Sequence, residues 1–179
     1  MRRLAIFFGL WAAALPAAAL ADEHIYSYEP GSAATRTLTA TGLSFQFEKR
    51  PLGGVSIKRI IQTGERGSAD LRAGSERDLG PGGLPAALAG ERALGKLYEI
   101  TPEGDGKAFV GAVCPGAERA WLVIGPLERF KDLDVQVVGR DAGAAAARHC
   151  VTLTFSFRND WQLPQRTPTR PRPVRNLPG

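Results

Sequence analysis

The sequence predicts an all-β protein: an antiparallel sandwich, or an open barrel, of about seven to nine short strands with one short helical excursion. Period-two alternation of apolar and polar residues recurs along the chain, and glycine and proline break it at short intervals. In two further stretches apolar residues occupy both strand faces, which suits central strands covered on both sides.

Taken in chain order, residues 25–28 and 35–39 read as the first strands. Leu43, Phe45 and Phe47 then alternate with Ser44, Gln46 and Glu48, giving one buried and one wet face. Pro51-Leu52-Gly53-Gly54 is a turn, and residues 55–62 form the strand that follows it. Residues 75–96 break the pattern. Ser75 and Asp78 begin a helical turn, Gly80-Pro81-Gly82-Gly83 stops it, and the segment is expected to cover an open end of the sheets. Residues 97–101 resume the strand pattern up to the turn at 102–106. Segments 108–113 and 120–124 are the two that are apolar on both faces. Leu133, Val135 and Val137 alternate with Asp134 and Gln136, and Gly139-Arg140-Asp141 is read as the turn that ends this strand. Residues 141–148 form a loop before the last alternation, Val151, Leu153, Phe155 and Phe157.

The two ends differ from this domain. Arg2 and Arg3 precede an apolar run that Pro16 interrupts, and Ala19-Leu20-Ala21 has the small-x-small pattern of a signal-peptidase site. The run is short for a spanning helix. Residues 1–21 are therefore expected to be a cleaved signal peptide and 22–162 a single β-rich domain, periplasmic or secreted. Residues 163–179 interleave proline with Arg166, Arg170, Arg172 and Arg175 and cannot build a core, so a disordered tail is expected. The formal charge of +5 belongs to these ends: with their six arginines set aside, the remaining basic residues nearly equal the 18 acids. A nucleic-acid surface needs clustered charge on the domain itself, and this balance argues against one.

Two cysteines, Cys114 and Cys150, in an exported chain predict one disulfide. Closing a loop of about 36 residues contributes about 3–4 kcal/mol on chain-entropy grounds. Trp121 opens an apolar strand and reads as core. Trp161, where domain gives way to tail, either packs on the last strand or presents a stacking face.

No catalytic or cofactor motif stands out. The G-x-S-x-G elbow, the H-E-x-x-H and C-x-x-C metal motifs and the phosphate-binding glycine fingerprints are absent, so neither metal nor cofactor is predicted. His24 lies next to the expected mature terminus. His149 neighbours Cys150 on the opposite strand face and cannot activate it. Asp132 and Asp134 are too few for a cation cage.

These observations favour a non-catalytic binding or envelope-associated module. Its arginine tail, with Trp161 beside it, would meet an acidic envelope component or protein. A carboxylate-based hydrolase of envelope polymers would instead show two carboxylates across a groove, and a carrier of a small ligand would show a barrel with a lined cavity.

Overall fold

A computed structural model describes residues 22–50, 54–62 and 67–162. Eight strands follow one another around a closed antiparallel barrel: β1 (Asp22–Pro30), β2 (Leu43–Lys49), β3 (Val55–Gln62), β4 (Ser68–Ala73), β5 (Lys96–Ile100), β6 (Ala117–Ile124), β7 (Leu133–Asp141) and β8 (Arg148–Gln162). The all-β expectation holds, and the sandwich gives way to a barrel. The 15-residue β8 closes it. Its first half pairs with β7, from Gly139↔Arg148 to Leu133↔Phe155, and its second half pairs with β1, from Pro30↔Phe155 to His24↔Gln162. Alternation fixes which side chains point inward, but it carries no information on whether a sheet splits in two or meets itself. A strand long enough to serve two partners leaves the sheet without an edge.

The inward positions are those the alternation marks. Tyr26, Tyr28, Leu43, Phe45, Phe47, Ile60, Leu122, Val135, Val137, Leu153 and Phe155 fill the interior. Tyr26 and Tyr28 meet Phe47, Phe45 and Phe157 edge-on at centroid distances of 4.7–5.8 Å. The outer wall carries ion pairs such as Arg59–Asp70 (2.6 Å) and Lys58–Glu48 (3.1 Å). An apolar inside and a charged outside reverse the pattern of a membrane-spanning barrel.

Two expected strands are helices. The first, residues 35–39, belongs to α1 (Ala33–Thr39). Ser32 caps it by accepting the Thr35 N–H (3.1 Å), and Thr39 donates to the Thr35 carbonyl (2.7 Å), so hydroxyls offset the poor helix preference of a threonine-rich segment. The Thr154 N–H then donates to Thr35 Oγ1 (3.0 Å), which ties α1 to β8. The second, residues 108–113, belongs to α3 (Gly106–Val113), whose buried Gly106, Phe109, Val110 and Val113 recur with helical spacing. Its glycine and alanine positions take the other face, so a run that is apolar throughout is ambiguous until something packs on it. Asp105 anchors the helix start by accepting the Ser68 N–H (3.1 Å). Both helices lie across the end of the barrel where β1 leads to β2 and β5 leads to β6.

Three smaller differences follow. The short β4 went unnoticed because Ser68–Ala73 alternates only through Ala69 and Leu71. Gly139-Arg140-Asp141 continues β7 and makes no turn. The excursion holds a 3-10 turn (Glu76–Leu79) and a short helix, α2 (Gly83–Ala87). It covers the outer wall and not an end: Leu79, Leu84, Ala87 and Leu88 pack on Trp121, Val123 and Val138. Trp121 is buried as expected, but under this cover and outside the barrel. Arg119 lies 4.8 Å from its ring centroid.

Candidate ligand-binding site

Among the described residues no helix covers the opposite end of the barrel, and the strand ladder is interrupted there. β4 pairs with β3 only through Arg59↔Asp70, Ile60↔Ala69 and Ile61↔Ser68, and with β5 only through Leu71↔Ile100, Arg72↔Glu99 and Ala73↔Tyr98. At the open end, residues 55–58 of β3 therefore have no partner on the β4 side. Tyr98 of β5 reaches across this gap, and the Ile57 N–H bonds its hydroxyl oxygen. A side chain replaces the missing strand partner there.

A cavity of about 390 Å³ lies in this gap. Val55 and Ile57 of β3 form one wall, and Tyr98 of β5 with Ile124 of β6 forms the other. Pro126 and Leu127 close it from the β6–β7 connection, and Leu94 and Gly95 form a lip. Its size lies within the range of small-molecule pockets. The lip is held from outside by Gln136 of β7, a buried amide whose Oε1 accepts from the Leu94 N–H (3.0 Å) while its Nε2 donates to the Arg92 carbonyl (3.1 Å). On the opposite side Gly54 lines the cavity, its carbonyl accepting from the Arg50 N–H (3.1 Å).

Electrostatics at this end are simple. Lys96 is the one charged side chain among the described lining residues, and no carboxylate lines the cavity. Burial raises the Tyr98 phenol above its ordinary value, outweighing the Ile57 N–H and the nearby Arg50 charge, both of which favour the phenolate. Tyr28, deeper in the barrel, is raised further by burial and then by Tyr26, and its hydroxyl has no hydrogen-bond partner.

A second concavity, about 370 Å³, lies over Arg72, Glu99, Lys107, Glu118 and Arg119 near α3. Its buried carboxylate, Glu99, is engaged on both sides, by Arg72 at 2.8 Å and by Arg119 at 2.6 Å. Among the described residues no cluster of three or more potential metal ligands occurs.

The residues singled out from sequence fare differently. Cys114, just after α3, and Cys150, on β8, are joined at a Cα separation of 5.4 Å. They stitch the closed end of the barrel and lie away from the open one. Trp161 pairs opposite Ile25, one rung before the end of the β1–β8 ladder, and is 58 % exposed, so it presents a face and is not packed away. Arg166, Arg170, Arg172, Arg175 and the expected signal peptide lie outside the described residues. His149 Nε2 makes a 3.1 Å contact with Thr152 Oγ1. Tyr98, Lys96, Gln136 and the lip were not picked out from sequence. The alternation Lys96, Tyr98, Ile100 did hold a signal: it puts a lysine on the inward face at the end of a strand.

Fold and site together define an eight-stranded up-and-down barrel, sealed by helices at one end and open through an apolar mouth at the other. No protein-family model, no curated protein and no solved structure matches the chain.

Proposed function

We propose that this protein is a non-catalytic binding module that holds a small apolar ligand in the open mouth of its barrel. The observation that carries this reading is the apolar cavity between β3 and β5, where the ladder is interrupted and Tyr98 takes the place of a strand. Interrupting a barrel in this way costs backbone hydrogen bonds, and a mouth that receives a ligand gives the interruption a purpose. The two carboxylate-bearing groups of the second concavity support a hydrolytic reading less well, because Glu99 is already committed to two guanidinium groups.

The setting we propose is the cell envelope or its exterior. The paired cysteines are compatible with an oxidising compartment, and the leader-like residues 1–21 point the same way. The arginine tail starts where β8 ends, at the mouth end of the barrel, and would tether the ligand-loaded domain to an acidic envelope component.

The uncharged probe N-phenyl-1-naphthylamine, whose fluorescence rises in apolar surroundings, tests the site. The protein is expected to bind it, and Leu127→Asp, which places a charge in the mouth where the half-buried Leu127 packs against the barrel core, is expected to abolish binding at a temperature where circular dichroism shows the variant folded. Equal binding by the variant would move the ligand elsewhere. Affinity capture from envelopes with and without residues 163–179 tests the tether, and a partner retained by both forms would remove the tail from the account.

A further inference from the structure

The mouth carries a feature that a purely apolar ligand leaves unexplained. Lys96 shares its strand face with Tyr98 and Ile100, whose side chains point into the barrel, so its stem lies along the cavity wall and its ammonium at the rim. No ion pair engages Lys96 among the described residues, although its surface neighbours do pair: Glu128 with Lys131, and Arg129 with Asp160 at 3.0 Å. On the opposite rim Arg50 adds a second cation near the Tyr98 hydroxyl. Burial keeps the proton on that hydroxyl, and Tyr98 lines the cavity, so the wall holds a group able to donate. Lys96 and a hydroxyl donor thus border an opening whose walls are Val55, Ile57 and Ile124, with no carboxylate among them.

We infer that the ligand of this mouth is an amphiphile with an acyl-type chain and an anionic head, the chain lying between β3 and β5 and the head held at the rim by Lys96. This rests on the reading of the mouth as a ligand site. An uncharged or cationic ligand would cover the lysine stem and leave its ammonium partly desolvated without a partner, whereas a carboxylate or phosphate gains a charge-assisted hydrogen bond in a half-dry setting. The same chemistry occurs in a free fatty acid and in the headgroup region of an anionic bilayer.

Displacement of N-phenyl-1-naphthylamine from the full chain separates these outcomes. Dodecanoate is expected to displace the probe about tenfold more tightly than dodecanol or dodecyltrimethylammonium. Lys96→Gln should remove that advantage, so that dodecanoate and dodecanol compete equally on the variant, and Lys96→Arg should keep it. Equal displacement by all three amphiphiles, or a Lys96→Gln protein that still prefers dodecanoate, would overturn the anionic-head inference and leave the apolar site standing. Failure of the wild-type protein to bind either the probe or, by calorimetry, dodecanoate would take down the mouth as a ligand site and this inference with it. Flotation with phosphatidylglycerol and phosphatidylcholine vesicles distinguishes the source. Binding of monomeric dodecanoate assigns a free amphiphile, while Lys96-dependent retention on phosphatidylglycerol vesicles alone assigns a bilayer lipid. Retention that Lys96→Gln does not change counts against the inference.

Discussion

A methyl group at position 139 would collide with the Cys114 sulfur and sit within 3.0 Å of the Cys150 sulfur and 2.9 Å of the Ala117 Cβ. Gly139 is therefore the floor on which the disulfide rests, and its role is space in the middle of β7. Gly139→Ala is expected to lower stability by about 1–3 kcal/mol through overpacking, measured by chemical denaturation; an unchanged midpoint would show that the bridge shifts freely. The buried phenols make a second residue-scale prediction. Tyr28 and Tyr98 both titrate above the ordinary tyrosine value because burial disfavours the phenolate. A folded-state pKa above the unfolded one gives stability that is complete below the unfolded value and lost as pH rises through the folded one. Stability should thus hold up to about pH 10 and fall beyond it, with the phenolate absorbance of these two residues appearing above the ordinary tyrosine value. Their titration at the ordinary value in folded protein would contradict their burial. Neither effect was legible in the sequence: glycine at 139 reads as a turn, and nothing about Tyr28 or Tyr98 announces which strand neighbour or cavity it meets.

At the scale of elements, most strands and the helical excursion after Ser75 were legible, whereas α1 and α3 were not. β2 and β8 carry alternation with large apolar residues on one side only, so their inward faces follow from the period. α3 has small or apolar residues at most positions, and a sequence of that kind packs as strand or helix depending on what it meets. It meets the end of a barrel, where Phe109, Val110 and Val113 close the interior. The lip of the mouth is likewise an arrangement between elements, since one amide on β7 holds residues 92–94, which are distant in sequence. Gln136→Ala should cost about 1–2 kcal/mol, the loss of a buried amide's hydrogen bonds, and should weaken probe binding at the mouth by loosening Leu94. Hydrogen exchange at the Leu94 amide checks it directly: protection equal to wild type would mean that the lip is held by something else.

At the scale of the whole molecule, the disulfide and the barrel act together. Cys114–Cys150 spans 36 residues and joins α3 to β8, the strand that closes the barrel. Its reduction is expected to cost about 3–4 kcal/mol, read as a lower denaturation midpoint with the mouth still binding probe, because the bridge lies at the other end; loss of binding ahead of unfolding would couple the two ends. The amino-acid sequence by itself determined the all-β class, the residues that point inward, the cysteine pair as the one available bridge and the near-neutral charge of residues 22–160. All of these depend on local spacing or on composition, which a linear chain displays. The tertiary structure alone decided that the sheet closes, that residues 33–39 and 106–113 coil into helices at one end, and that an apolar mouth with Lys96 at its rim forms at the other. Each of these depends on which strands meet and where pairing stops, and that is set by long-range packing that no local pattern encodes.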